Sequence, residues 1–103
     1  MSTATFHLKQ NDTKPSLSAS LTQDGSVVDL TGATVKFHMG DTVDSAAVVA
    51  GALTGSVRYD WDAEDTVTAG SFPGEFEVTF SDGTIETFPN DGYLTIEIQS
   101  ELA

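Results

Sequence analysis

The residues of this chain best equipped for chemistry are two histidines, His7 and His38, and the acidic run Asp60-Trp61-Asp62-Ala63-Glu64-Asp65. An imidazole ligates zinc or shuttles a proton when further ligands or partners fix its position. Here each histidine falls between alternating apolar residues, Phe6 and Leu8 in one case and Phe37 and Met39 in the other. Both therefore point to the outer face of a strand, as solvated side chains that could be cross-strand neighbours. Nothing in the spacing supplies a third ligand or the partners that would orient one. The acidic run would attract a divalent cation, but it lacks the D-x-D-x-D-G order and the glutamate at the twelfth place of a calcium loop, where Gly70 and Ser71 fall nearby. A strand end running into one helical turn capped by Asp62 accounts for the same residues.

The other routes to catalysis find little support in the sequence. Sixteen acids allow paired carboxylates, yet a general acid needs a sheltered cleft, and a sandwich of 103 residues has little room to build one. The serines have no G-x-S-x-G elbow and no positioned histidine. There is no G-x-x-x-x-G-K or G-x-G-x-x-G to cradle phosphate. With no cysteine, disulfides, thiolate metal sites and cysteine nucleophiles are excluded. The expectation is a protein that is not an enzyme and has no cofactor, metal or small-molecule substrate.

Sixteen acidic against four basic residues give a formal charge of −12. A field of that sign repels phosphate backbones and anionic lipid surfaces, so neither nucleic acid nor membrane is an expected partner. The acids are spread along the chain, as in a solvated surface or one adapted to high salt; a docking site for basic partners is the sharper reading. No apolar stretch approaches the ~18 residues of a membrane span. The opening MSTATFHLKQ does not read as a signal peptide.

The elements that must position these residues are strands. In the C-terminal third, Phe76, Val78 and Phe80 alternate with Glu75, Glu77 and Thr79, the period of a half-buried strand. Asp82-Gly83 suits a two-residue hairpin turn, after which residues 84–88 return; Leu94, Ile96 and Ile98 give the next strand its apolar face. Earlier strands are expected over residues 3–10, 16–21, 34–39 and 56–61, with an extended link at residues 27–32. Residues 44–53, rich in alanine and valine, read as strand more than helix because Val48-Val49 is β-branched and Gly51 and Gly55 punctuate the stretch. Seven or eight short strands separated by Gly, Asp and Pro turns predict one Ig-like antiparallel β-sandwich over residues 1–103.

With a two-residue loop at Asp82-Gly83, Phe80 faces Ile85 and Phe88 falls on the outer face beside Glu75 and Glu77. Phe88 is then either folded over a sheet edge by the kink at Pro89 or an apolar anchor covered by a neighbouring subunit. Phe88, Glu75, Glu77 and Tyr93 are the partner-binding candidates. A different reading, a carbohydrate-binding module, would use Tyr59, Trp61 and Tyr93 with nearby acids, although alternation puts Tyr59 and Trp61 on the core face.

Several stretches also carry a resemblance. Residues 6–15, FHLKQNDTKP, resemble the F-x-(I/L)-K-Q-N-D-T-x-P opening of small Ig-like proteins of tailed viruses, the family of the phage baseplate upper protein N-terminal domain. The similarity continues through Asp24-Gly25 and residues 28–37, VDLTGATVKF, then 57–61, VRYDW, 68–72, TAGSF, 75–78, EFEV, and 86–90, ETFPN. Residues 41–54 match poorly, and Phe72 stands where Ig-like sandwiches often have a tyrosine. The resemblance implies an Ig-like building block of a virion, with no catalytic residues to carry over. In baseplate upper proteins this domain heads a longer chain. The implied partners are other virion structural proteins in a homo-oligomeric or multi-copy assembly at the tail, baseplate or neck, with capsid decoration as the alternative. The acidic, lysine-poor composition is similar to that of proteins from salt-loving hosts, which points to a haloarchaeal tailed virus.

Overall fold

A computed structural model describes residues 4–102. Among the described residues ten strands follow one another: β1 (Thr5–Lys9), β2 (Leu17–Ser20), β3 (Thr22–Gln23), β4 (Ser26–Val27), β5 (Thr34–Met39), β6 (Val43–Gly51), β7 (Ser56–Tyr59), β8 (Gly70–Thr79), β9 (Ile85–Phe88) and β10 (Leu94–Gln99). Short 3₁₀ turns cover Ala52–Thr54 and Ala63–Thr66. Eight strands form a nearly closed sheet in the order β1-β10-β8-β5-β6-β7-β2, with β9 beside β8, while β3 and β4 form a small separate hairpin.

The sheet folds into two layers because β6 is shared. Its first half pairs with β5, up to Val35 opposite Ala47, and its second half pairs with β7, from Val48 opposite Arg58. The strand expectation for residues 44–53 is met as far as Gly51, where β-branched valines outweigh the alanines, while Ala52 and Leu53 belong to a 3₁₀ turn. The sandwich is not wholly antiparallel: β1 runs parallel to β10, with Phe6 opposite Ile96 and Leu8 opposite Ile98. Thr3, the expected start of the first strand, lies outside the described residues.

Alternation places one apolar residue in two toward the core. Val35, Phe37 and Met39 from β5, Phe76 and Val78 from β8, and Ile96 and Ile98 from β10 meet Leu17, Val57 and Tyr59 from the opposing layer. Phe37 is the hub, with ring centroids 4.8 Å from Tyr59, 5.1 Å from Phe76 and 5.7 Å from Trp61. Such pairs contribute about 0.5–1.5 kcal/mol each beyond the area they bury.

The β8–β9 hairpin departs from its expected register. Phe80 N–H donates to the Thr84 carbonyl, Gly83 N–H donates to the Phe80 carbonyl, and Gly83 has a φ of +89°. The connection is thus a three-residue loop, a turn followed by a left-handed glycine, and not the two-residue turn that Asp-Gly also permits. Thr79 therefore lies opposite Ile85 and Phe76 opposite Phe88. A one-residue slip turns every side chain to the other face. Phe88 is a core residue at 4% exposure, and Ile85 takes the outer face at 62%.

Candidate docking surfaces

The outer face of the larger layer is built from the polar half of each alternating strand. Across β6, β5 and β8 the register sets His38 opposite both Asp44 and Glu75, and Lys36 opposite Glu77. His38 Nδ1 lies 3.5 Å from Asp44 Oδ1, and its Nε2 lies 3.8 Å from Glu77 Oε1. Lys36 Nζ reaches the same Asp44 oxygen at 3.6 Å. Lys36 and Asp44 are exposed, where a pair contributes at most about 1 kcal/mol, and His38 is half-buried between Asp44 and Glu77. The face presents Glu75 and Glu77 together, as expected, with Ile85 as its exposed apolar member. The expectation that Phe88 accompanies them is corrected: it is buried on the opposite side of the strand, beside Phe76, and is absent from this outer face. Alternation alone misses Ile85 because its exposure depends on the loop; Gly83, three residues after Phe80, is the signal that could have found it.

Tyr93 stands apart. It precedes β10, is 56% exposed, and borders a shallow hollow formed with Phe72 and Pro73. His7 lies opposite Glu97 on the β1–β10 pair, so the two histidines are not cross-strand neighbours.

The acidic run is occupied by local structure. Asp60 accepts from Ser16 Oγ at 2.7 Å and Arg58 Nε at 2.9 Å, and these bonds, Ser16 first, hold its carboxyl below the usual carboxylate range. Asp62 is the N-cap of the second 3₁₀ turn, as its position suggested, and Asp65 reaches back to accept from Asp62 N–H at 2.9 Å. The same Asp65 carboxylate accepts from the Tyr59 hydroxyl at 2.6 Å. Burial, then this bond, pushes the Tyr59 phenol well above its ordinary value. Among the described residues, no three His, Asp or Glu side chains are grouped to hold a metal ion.

Tyr59 and Trp61 are buried, with Trp61 stacked 6.0 Å from Phe6 and set edge-on 5.2 Å from Tyr59. Their faces are in contact with protein, so they cannot form the sugar platform of a carbohydrate-binding module. That reading is corrected by the same alternation that predicted their inward direction.

No curated protein matches the chain. Among solved structures, CopC from Methylosinus trichosporium OB3b is similar, with a TM-score of 0.55 and 15% identity, the match covering 98% of this chain and 89% of that one. At that identity the likeness is one of fold. The family model described as the BppU N-terminal domain, the N-terminal domain of a phage baseplate upper protein, matches residues 3–88. The chain belongs to the BppU N-terminal domain family.

Proposed function

We propose that the chain is a non-enzymatic structural module of a tailed-virus particle, held in the tail or baseplate by contacts with other virion proteins. Membership of a baseplate domain family over residues 3–88 is the observation that carries this reading. The chemistry of the surface supports it. Asp60 and Asp65 of the acidic run are engaged in hydrogen bonds within the fold, and the aromatic residues Tyr59, Trp61 and Phe88 are buried.

The outer face bearing Glu75, Glu77 and Ile85 is the docking surface of this reading. Its carboxylates select a basic partner surface, and Ile85 offers an apolar contact in their midst. Tyr93 provides a second, separate contact. The module exists in several copies per particle, as tail and baseplate proteins of repeated symmetry require.

Quantitative mass spectrometry of purified particles tests the proposal. The chain is expected in a fixed ratio to the tail proteins, and Glu75→Lys with Glu77→Lys is expected to lower that ratio severalfold while the isolated domain stays folded. Recovery of the chain only in the soluble fraction of infected cells would contradict it.

A further inference from the structure

The nearly closed sheet leaves a seam. Among the described residues, strand β2 closes one end of the order and pairs only with β7, while β9 pairs only with β8. Between them lies a groove of about 480 Å³, within the range of about 300–1,000 Å³ typical of ligand clefts. Its floor is apolar, with Ala19 and Leu21 from the β2 side and Phe88, Pro89 and Leu94 from the other, and its remaining lining is mostly polar, Gln23, Asp24 and Asn90 included. At its mouth Gln23 Nε2 donates to Glu86 Oε2 at 2.8 Å, joining β3 to β9, and Asn90 Nδ2 donates to the same oxygen at 3.0 Å.

Two properties of the seam select its occupant. The first is main-chain geometry. A terminal strand beside an apolar trough accepts another extended chain, which satisfies the free edge and sends alternate side chains, about 6.6 Å apart, into the groove. The second is charge. Asp24 lines the groove and Glu86 stands at its mouth, whereas none of the four Lys and Arg side chains is among the lining residues. A second copy of this chain would bring another −12 to that site and is repelled.

We propose that the seam between β2 and β9 receives an extended segment of a partner protein, apolar at alternate positions and flanked by lysine or arginine. This rests on the reading that the chain docks onto other virion proteins, and it adds a contact separate from the Glu75–Glu77 face. The segment lies along β2, places its apolar residues over Leu21, Phe88 and Leu94, and sets its cations near Asp24 and Glu86.

The test uses the full chain, immobilised, and a display library of random peptides of about twelve residues. Peptides enriched on it are synthesised, and their contacts are mapped by amide chemical shifts. Enrichment of alternating apolar sequences with Lys or Arg flanks is expected, with shifts concentrated at Ala19, Leu21, Asp24, Phe88 and Asn90. The exposed substitution Asp24→Asn, which removes the charge and keeps a residue suited to the φ of +54° at this turn, is expected to weaken binding severalfold without altering the fold. Failure to enrich any peptide, enrichment of acidic or unpatterned ones, shifts mapping elsewhere, or concentration-dependent self-association at the same amides would each overturn the proposal. The selection involves no virus particle. Binding at the seam by a chain absent from particles would therefore keep the groove and remove the virion reading. A particle-bound chain whose seam takes no peptide would do the reverse.

Discussion

Strands β10 and β9 pair with the same edge of β8, β10 along residues 70–74 and β9 along residues 76–79, yet their registers are set by different physics. On β10, three apolar residues at alternate positions, Leu94, Ile96 and Ile98, allow one facing only. Ile96 meets Phe72, Leu94 meets Gly74, and a slip would expose all three. On β9, the two large apolar residues are Ile85 and Phe88, an odd number of positions apart, so one must face out whichever register is chosen. Alternation cannot decide between them. The loop decides: a left-handed Gly83 and a three-residue connection bury Phe88, the larger side chain, and leave Ile85 in solvent. A strand with a consistent pattern fixes its own facing, whereas a short strand with a mixed pattern takes its facing from the turn.

The sharpest way to break this comparison is to exchange the burden between the two residues of β9. Phe88→Ala is expected to lower stability by about 3–5 kcal/mol, because it empties a ring-sized site against Phe76. Ile85→Ala is expected to change stability by no more than about 0.5 kcal/mol. Urea unfolding of the two variants measures both, and an inverted order would mean that the two-residue register is the real one.

On the β10 side the corresponding sensitivity lies at Gly74. A Cβ there would approach Phe37 at 3.1 Å and Ile96 at 3.2 Å, tighter than ordinary contact. Gly74→Ala is expected to cost about 1–3 kcal/mol through overpacking, read from the same unfolding curves. Gly83→Ala is expected to cost about 1–2 kcal/mol for a different reason. No atom lies within 4 Å of the position its methyl group would take, but a φ of +89° disfavours any L side chain. Gly83→Asn should therefore recover part of the loss, while the same replacement at Gly74 should not.

The smallest effect belongs to the loop carboxylate. Asp82 Oδ1 accepts from Thr84 Oγ1 at 2.6 Å and from Thr84 N–H at 3.0 Å, and these bonds, the hydroxyl first, hold its carboxyl below the usual range. A lowered carboxylate contributes stability that is fully present above its ordinary, unfolded value and is lost as pH falls from there through the folded value. The melting temperature of Asp82→Asn is therefore expected to fall less steeply than that of the parent chain below about pH 4. Parallel slopes would show that the Asp82–Thr84 bonds contribute nothing to folding.

Most of the fold was legible because its strands carry one consistent signal. Val35, Phe37 and Met39 read inward, as did Tyr59 and Trp61, and the packing of Phe37 against both aromatics follows from that placement. The Asp62 cap was readable from one acid before a short turn. The parallel direction of β1 was not, because alternation is the same in both directions and the partner strand β10 lies at the far end of the chain. Of the docking candidates, Glu75 and Glu77 stand together on one face, whereas Phe88 does not join them. The seam was beyond reach of pattern alone, since it depends on which strands end the sheet order.

The central claim is that the chain is a docked component of a virus tail. Antibody–gold labelling of intact particles, viewed by electron microscopy alongside particles whose tails have been detached, tests it most directly. Gold at the baseplate or along the tail, leaving with the detached tails, is the predicted result. Gold retained over the head would contradict it and make the chain a capsid decoration protein.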